Sequence, residues 1–360
     1  MNSELAKIGD SLAASCESIA RCFAPGVELI LGPYRTGKTT SLIDEVVDYC
    51  RQHPFESALV VVPSQRYKAL FEKRLQERLQ RPGVAGKTAG ILGLQVLPFY
   101  KACQFVLRKS GIPFALVPDE VRVAIIARLL NELKLAGQLE TLDPILGFAG
   151  THASLIELID ELQRAALSPS DVLAKLEKTA QSESRYIELA RIYERYWQTL
   201  SDRGYVDERG AAFAARQALA QRQGSLNLGF VAADGFDRFN LLQLNVLEGL
   251  AGQAAHTRIC FDYLAPEQDD TGDYVWKEQS FLELDSTFAA AERRMVEPAQ
   301  ADRQPPDIKK VRLLDRFFEC AEIAKVIKQR IADGVKPEQI LVVARSLSAY
   351  GAAVHAAFGR

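Results

Sequence analysis

The stretch Val27-Glu-Leu-Ile-Leu-Gly32-Pro-Tyr-Arg-Thr-Gly37-Lys38-Thr39-Thr40 joins an apolar run to an amphipathic run through a glycine-containing turn. It fits the pattern of Gly, four residues, then Gly-Lys-Thr. A turn of this kind between a buried strand and a helix directs backbone N–H groups and the helix N-terminus towards phosphate oxygens. Strand, loop and helix contexts all agree, so the stretch predicts an α/β protein with a nucleotide-binding loop. The alternative is a chance match in a strand-to-helix turn.

The loop also predicts which side chains would bind ATP and Mg²⁺. Lys38 would reach the β- and γ-phosphates, and the Thr39 hydroxyl would ligate Mg²⁺. The predicted nucleotide-binding residues are Gly32, Arg35, Thr36, Gly37, Lys38, Thr39 and Thr40.

Length and composition restrict the class of protein. With 360 residues the chain exceeds the ~250–300 residues at which one hydrophobic core stops growing, so two or more domains are expected. No apolar run approaches the ~20 residues needed to cross a bilayer. The amino terminus also lacks a basic-then-apolar signal segment. We therefore expect a cytoplasmic protein. The six cysteines form no Cys-x-x-Cys pair, which favours buried thiols over a disulfide framework or zinc site.

The charge balance argues against a dedicated basic nucleic-acid module, because 44 basic residues face 46 acidic ones. A narrow basic channel remains compatible with it. One locally positive stretch runs from Arg66 to Lys87, but Glu72 and Glu77 interrupt it on a predicted helix. A solvated helix face is favoured over a DNA-binding channel there.

Alternating apolar runs and helical patterns predict a parallel sheet with crossover helices. The predicted strands are residues 29–31, 58–62, 94–97, 226–233 and 257–261, followed after the linker by 311–314 and 339–344. The predicted domains are an α/β domain formed by residues 1–112 and 221–296, a helical insertion at 113–220, a linker at 297–306, and the beginning of a second α/β domain at 307–360.

The helical insertion contains an aromatic stripe. Tyr186, Tyr193, Tyr196 and Trp197 recur at helical spacing with leucines between them. Such a stripe is favoured as core packing over a base-stacking surface.

A nucleotide site needs a second element, an acidic residue at the end of a neighbouring buried strand. Asp234 follows the apolar run 229–233 and is predicted to hold Mg²⁺ together with Thr39; a turn formed by Asp-Gly is the alternative. The next residue, Gly235, offers no carboxylate to activate water. Asp237 is the candidate substitute for that catalytic base, although it lies two residues further along.

The segment Asp234-Gly-Phe-Asp-Arg-Phe-Asn240-Leu-Leu-Gln243 resembles a motif of superfamily 1 helicases of the UvrD type. It is most similar to the Asp-Gly-Phe-x-x-Phe-x-x-x-Gln form of AddB-like subunits of bacterial ATP-dependent helicase-exonucleases. The resemblance implies a first RecA-like domain, an inserted helical domain and the start of a second RecA-like domain. It also implies binding of single-stranded or duplex-end DNA and a partner helicase subunit. The implied DNA-contacting residues are Ser64, Gln65, Arg66 and Phe99.

The departures from the family pattern bear on catalysis. Gly235 stands where the family has its catalytic Glu, and no Arg occurs in 282–288, where helicases carry a phosphate-contacting one. Loss of a general base typically costs about 10²- to 10⁴-fold in rate. We therefore expect ATP binding with weak or absent hydrolysis. The alternatives are a non-catalytic scaffold that guides DNA or docks a partner, and a small-molecule phosphotransferase.

Overall fold

The computed structural model describes residues 26–80, 91–178, 184–221, 226–269, 272–297 and 308–359. The chain divides into two compact units, Met1–Ala299 and Gln300–Arg360. Most of the predicted linker, together with Arg81 and Lys87 of the positive stretch, lies outside the described residues. Across the described ranges, no helix combines the length and apolar character needed to cross a membrane.

The first unit is built on a parallel sheet of six strands. These strands are β1 (Val27–Gly32), β2 (Ser57–Val62), β3 (Leu94–Pro98), β6 (Leu228–Ala233), β7 (Ala254–Asp262) and β8 (Glu292–Met295). Their order across the sheet is β3-β2-β6-β7-β1-β8. The sheet helices are α1 (Lys38–Gln52), α2 (Gln65–Leu79), α3 (Phe99–Lys109), α9 (Leu241–Ala251) and α10 (Glu278–Thr287). The prediction of an α/β fold with a parallel sheet is confirmed.

Both faces of this sheet are covered, which explains why its central strands are almost continuously apolar. Along β1, Leu29 and Leu31 face a core shared with α3, α9 and α10. Ile30 faces the opposite core, where Val46 of α1 and Phe71 of α2 pack. Alternate residues of one strand thus belong to two separate cores.

The insertion contains α4 (Asp119–Leu135), α5 (Ala149–Arg164), α6 (Pro169–Lys178), α7 (Ser184–Ser201) and α8 (Glu208–Gln221). It is not entirely helical, because β4 (Ala115–Leu116) and β5 (Tyr205–Val206) form a short parallel pair. Tyr193 and Tyr196 are buried in its own core, as the core interpretation of the aromatic stripe predicts, whereas Tyr186 at the start of α7 is exposed. Trp197 contacts both this core and that of the sheet, where its ring lies 5.1 Å from that of Phe213.

The second unit differs from its prediction. Its described residues form α11 (Arg316–Ala332) and α12 (Leu347–Phe358), and the strands predicted at 311–314 and 339–344 are not formed. Leu341 is 84% exposed rather than buried. A strand needs backbone hydrogen bonds from a neighbouring strand. Residues 308–359 contain no other strand to supply those bonds, so the apolar pattern alone does not produce a sheet here.

Candidate nucleotide-binding site

The glycine-containing loop lies where the sequence predicts it, between the end of β1 and the start of α1. Its backbone turns sharply, with positive φ at Gly32 (147°), Arg35 (62°) and Gly37 (91°). A Cβ atom on Gly32 would lie only 2.4 Å from the carbonyl oxygen of Val296, so only glycine fits there. Gly37 occupies the position immediately before α1. Its lack of a side chain leaves the first N–H groups of that helix open to a ligand.

Lys38 is buried beneath the loop. Its Nζ donates hydrogen bonds to the carbonyl oxygens of Gly32 (2.9 Å) and Pro33 (2.5 Å) and to Thr36 Oγ1 (3.1 Å). It also forms an ion pair with Asp262 Oδ1 at 2.7 Å. In this arrangement the lysine charge is directed into the loop and towards β7.

The strand register explains how Asp262 reaches this position. Asp262 ends β7 and pairs directly with Gly32 at the end of β1. The carboxyl ends of parallel strands meet at one edge of the sheet, so a polar residue ending a neighbouring strand lies beside the loop. Asp262 is not among the site residues predicted from the sequence. Its place at the end of a predicted strand was the signal for a contact with the loop.

The two residues predicted to hold Mg²⁺ lie together. The Thr39 hydroxyl donates to Asp234 Oδ1 at 3.3 Å, although 195 positions separate the two residues. The Asp234 backbone N–H bonds to the carbonyl oxygen of Val61, which fixes the residue at the end of β6. One hydroxyl and one carboxylate suit Mg²⁺, which usually completes its shell with water and substrate phosphates. Within the described residues, no cluster of three or more His, Cys, Asp or Glu side chains could hold a metal independently.

Asp234 is only 3% exposed, and its burial raises the pKa of the carboxyl group. Hydrogen bonds donated by Tyr67 and Thr39 act in the opposite direction and favour the ionised form. A bound cation would favour the ionised form further, because it would supply the missing opposite charge.

Tyr67, which the sequence interpretation missed, completes this cluster. Its hydroxyl donates to Asp234 Oδ2 at 2.9 Å and lies 3.5 Å from Thr39 Oγ1. Its ring covers Gly235, where an added Cβ would lie 2.2 Å from the nearest ring carbon. Tyr67 lies in the first turn of α2 and carried no motif that would have identified it.

Asp237, the candidate catalytic base, contacts a different partner. Its carboxylate is 73% exposed and lies 3.3 Å from Lys277 Nζ. Lys277 is fully buried, with its Nζ 4.9 Å from the ring centroid of Tyr34 and 5.0 Å from that of Phe261. Burial lowers the pKa of Lys277, while Asp262 and Asp237 oppose that effect. Asp237 therefore neutralises a buried lysine, and its hydrogen bonds do not include Thr39 or Asp234.

The rest of the Asp-Gly-Phe segment has a structural explanation. Asn240 caps α9 by accepting a hydrogen bond from the Gln243 backbone N–H, and the Gln243 side chain accepts one from the Asn240 N–H. This capping box satisfies two of the free N–H groups at the start of the helix. The Asn and Gln of the motif therefore begin the helix that follows Asp234.

The remaining predicted residues are distributed unevenly. Arg35 and Thr40 lie on the exposed side of the loop, while Thr36 bonds to Lys38. Ser64, Gln65 and Arg66 are exposed at the start of α2, where the Ser64 hydroxyl accepts a hydrogen bond from the Tyr67 N–H. Phe99 is 2% exposed and belongs to the sheet core. Of the four residues implied to contact DNA, three therefore lie on the surface and Phe99 does not.

These features define an α/β protein with a glycine-containing loop and an acidic strand end at the same edge of a parallel sheet. Residues 29–326 match the family described as "ADDB, N-terminal", and the chain belongs to that family.

The chain is also similar to bacterial proteins that are each named as one subunit of an ATP-dependent helicase/deoxyribonuclease. The relative from Listeria monocytogenes is 20% identical over 90% of this chain and 30% of its own length. The relative from Exiguobacterium sibiricum is 25% identical over 60% of this chain and 18% of its own length. The chain thus spans about a third or less of the relatives it matches.

Proposed function

We propose that this chain is the ATP-binding, helicase-like part of a DNA repair or recombination helicase-nuclease subunit. The observation that carries the proposal is the convergence of the loop, Lys38, Thr39 and Asp234 at one edge of the sheet. Lys38 would leave its loop partners to contact the β- and γ-phosphates. Thr39 and Asp234 would hold Mg²⁺, directly or through water.

The domain organisation belongs to the same proposal. Residues 1–112 and 221–296 would form a first RecA-like domain, 113–220 an insertion, and 307–360 the beginning of a second RecA-like domain. The parallel sheet and the family match support the first of these assignments.

The site is poorly equipped for hydrolysis. Gly235 has no carboxylate, and the candidate substitute, Asp237, is paired with Lys277. An attacking water needs a positioned group to orient it and accept its proton. We infer that ATP is bound and hydrolysed slowly or not at all, with bound nucleotide acting as a structural signal.

Binding of DNA and of a partner subunit belongs to the same proposal. The relatives are named as one subunit of a helicase/deoxyribonuclease, which supports a partner subunit and DNA as the substrate. Ser64, Gln65 and Arg66 offer exposed polar and basic groups near the nucleotide site, suitable for single-stranded or duplex-end DNA. A cytoplasmic location belongs to the same proposal.

Nucleotide affinity tests the proposal directly. A fluorescent ATP analogue should bind the wild-type chain with Mg²⁺ present, and Lys38→Ala should weaken binding at least about tenfold, because a charge-assisted contact to phosphate is lost. Lys134→Ala is the matched control, since Lys134 pairs with Asp143 on the surface of the insertion. Equal affinities of Lys38→Ala and the wild type would refute the proposed site.

The alternative is a non-catalytic scaffold in which the loop is a remnant. This alternative is favoured by the observation that two of the site residues already have partners within the protein. Lys38 is paired with Asp262, and Asp234 is hydrogen-bonded to Tyr67. The same titration distinguishes the two functions. A wild-type chain with no detectable nucleotide binding that still binds DNA or a partner subunit would establish the scaffold.

A further inference from the structure

The hydroxyl of Tyr67 meets both residues that the proposed function assigns to Mg²⁺. It donates to Asp234 Oδ2 at 2.9 Å and lies 3.5 Å from Thr39 Oγ1, while Thr39 bonds to the other Asp234 oxygen. Each hydroxyl donates its single proton to a different oxygen of Asp234, and the two hydroxyl oxygens lie in contact without a third hydrogen bond. Both oxygens of Asp234 therefore already accept a hydrogen bond, so a cation competes with the Tyr67 hydroxyl for Oδ2 and with the Thr39 hydroxyl for Oδ1.

We propose that Tyr67 is a positioning residue that controls metal entry at the nucleotide site. Mg²⁺ binds Asp234 only when the Tyr67 hydroxyl gives up its hydrogen bond. This inference rests on the proposed function, because it assumes that Thr39 and Asp234 are the metal side of a nucleotide site.

The ring of Tyr67 has a second effect through Gly235. A Cβ atom on Gly235 would lie 2.2, 2.4 and 2.5 Å from three atoms of the ring, far inside van der Waals contact. Gly235 also has a backbone φ of 81°, which residues other than glycine rarely adopt. The position next to Asp234 is where a carboxylate could orient water, and the ring fills it. The Tyr67 ring therefore fits only beside a glycine at position 235. It occupies the space that the side chain of a carboxylate residue at this position would need.

Contacts of both its backbone and its ring hold Tyr67 in this position. Its backbone N–H is bonded to the Ser64 hydroxyl that caps α2, at 3.2 Å. Its ring also packs against the core formed by α1, α2 and the sheet. The hydroxyl is thus aimed at Asp234 by the start of a helix, and little side-chain freedom is lost when it bonds there.

The hydroxyl is tested by Tyr67→Phe, which keeps the ring. Binding of the fluorescent ATP analogue is titrated with Mg²⁺, using the whole chain. The Mg²⁺ concentration at half-maximal effect should fall about fivefold, because the competing hydrogen bond is lost. Affinity is also measured without Mg²⁺, and a loss of affinity there in place of the lower Mg²⁺ midpoint would show general loosening of the site and overturn the proposal. Tyr193→Phe is the control, since its hydroxyl bonds to the Leu167 carbonyl oxygen in the insertion.

The outcomes separate this inference from the proposed function. An unchanged Mg²⁺ midpoint in Tyr67→Phe overturns the role of Tyr67, even when Lys38→Ala shows that the nucleotide site is real. Nucleotide binding that is insensitive to Lys38→Ala overturns the proposed function, and this inference with it.

The ring is tested by a double-mutant cycle on thermal stability. Gly235→Ala should lower the melting temperature in the wild-type background and lower it less in a Tyr67→Ala background, where the clash is absent. The remaining loss in the second background reports the strain of a positive φ at residue 235. Additive effects would show that the ring and Gly235 are independent and would overturn this part of the proposal.

Discussion

Removal of Asp262 should increase nucleotide affinity, although the change disrupts an ion pair. Asp262 holds the Lys38 amine at 2.7 Å and would repel the phosphates of an incoming nucleotide. At that separation, the gross Coulomb attraction is about 6 kcal/mol with an effective dielectric constant of about 20. Asp262 is partly exposed, so solvent screening and the remaining loop contacts of Lys38 reduce the net effect. A charge-assisted hydrogen bond contributes about 1.5–3 kcal/mol net.

This energy sets the expected shift in affinity. Lys38 no longer has to leave a carboxylate to reach phosphate, so Asp262→Ala should bind the ATP analogue about 10- to 100-fold more tightly without Mg²⁺. Asp262→Asn should show most of this gain, because it removes the charge and keeps the size. The measurement is a fluorescence titration in EDTA at two salt concentrations.

The matched control is Asp285→Ala. Asp285 is about as exposed as Asp262 and forms an ion pair of similar length with Arg293, which does not belong to the loop. Its replacement should leave nucleotide affinity unchanged. Weaker binding by both Asp262 variants in EDTA would refute the reasoning and would show that Asp262 supports the loop instead of competing with phosphate.

Two further predictions concern buried polar groups. Burial raises the pKa of Asp234, so the folded protein binds this proton more tightly than the unfolded chain does, and stability falls as pH rises through the folded pKa. Asp234→Asn should remove this pH dependence of stability and raise the melting temperature by about 2 °C at neutral pH. The same variant should abolish the Mg²⁺ effect on nucleotide binding. A lower melting temperature at every pH would contradict the prediction. Tyr196→Phe should destabilise the protein by about 2–3 kcal/mol in urea unfolding, because Arg122 Nε loses its hydrogen bond to the hydroxyl and Asp207 Oδ2 keeps only the longer one from Gln163. A change below about 0.5 kcal/mol would show that water replaces the hydroxyl.

The strands and helices of the first unit could be predicted from the sequence because burial on both faces of the sheet makes its strands almost continuously apolar. The apolar run before Gly32 and the β-branched run 58–62 have no other common explanation. The pairing of Thr39 with Asp234 was also predictable, since both follow strands of one parallel sheet.

The side-chain contacts within the site could not be predicted from the sequence in the same way. Tyr67 belongs to no pattern, and its role depends on where the first turn of α2 meets Gly235. Lys277 is paired with Asp237 through a fold that brings together residues 40 positions apart. In the second unit the run 339–344 predicted a strand, but strand formation depends on a neighbour as well as on side-chain type.

The strand order has a consequence for synthesis of the protein. Within the described residues the strand that carries the loop, β1, pairs with β7 and β8, whose paired residues follow 230 and 264 positions later. At ribosomal rates of about 5–20 residues per second, this apolar strand waits roughly 10 to 45 s for its first neighbour. The insertion between them has its own core and many local contacts, so it can fold during that delay. Both Asp234 and Asp262 also arrive late, so the loop has no acidic partner while the nascent chain is short. The loop therefore acquires its two acidic partners only after the central strands have assembled.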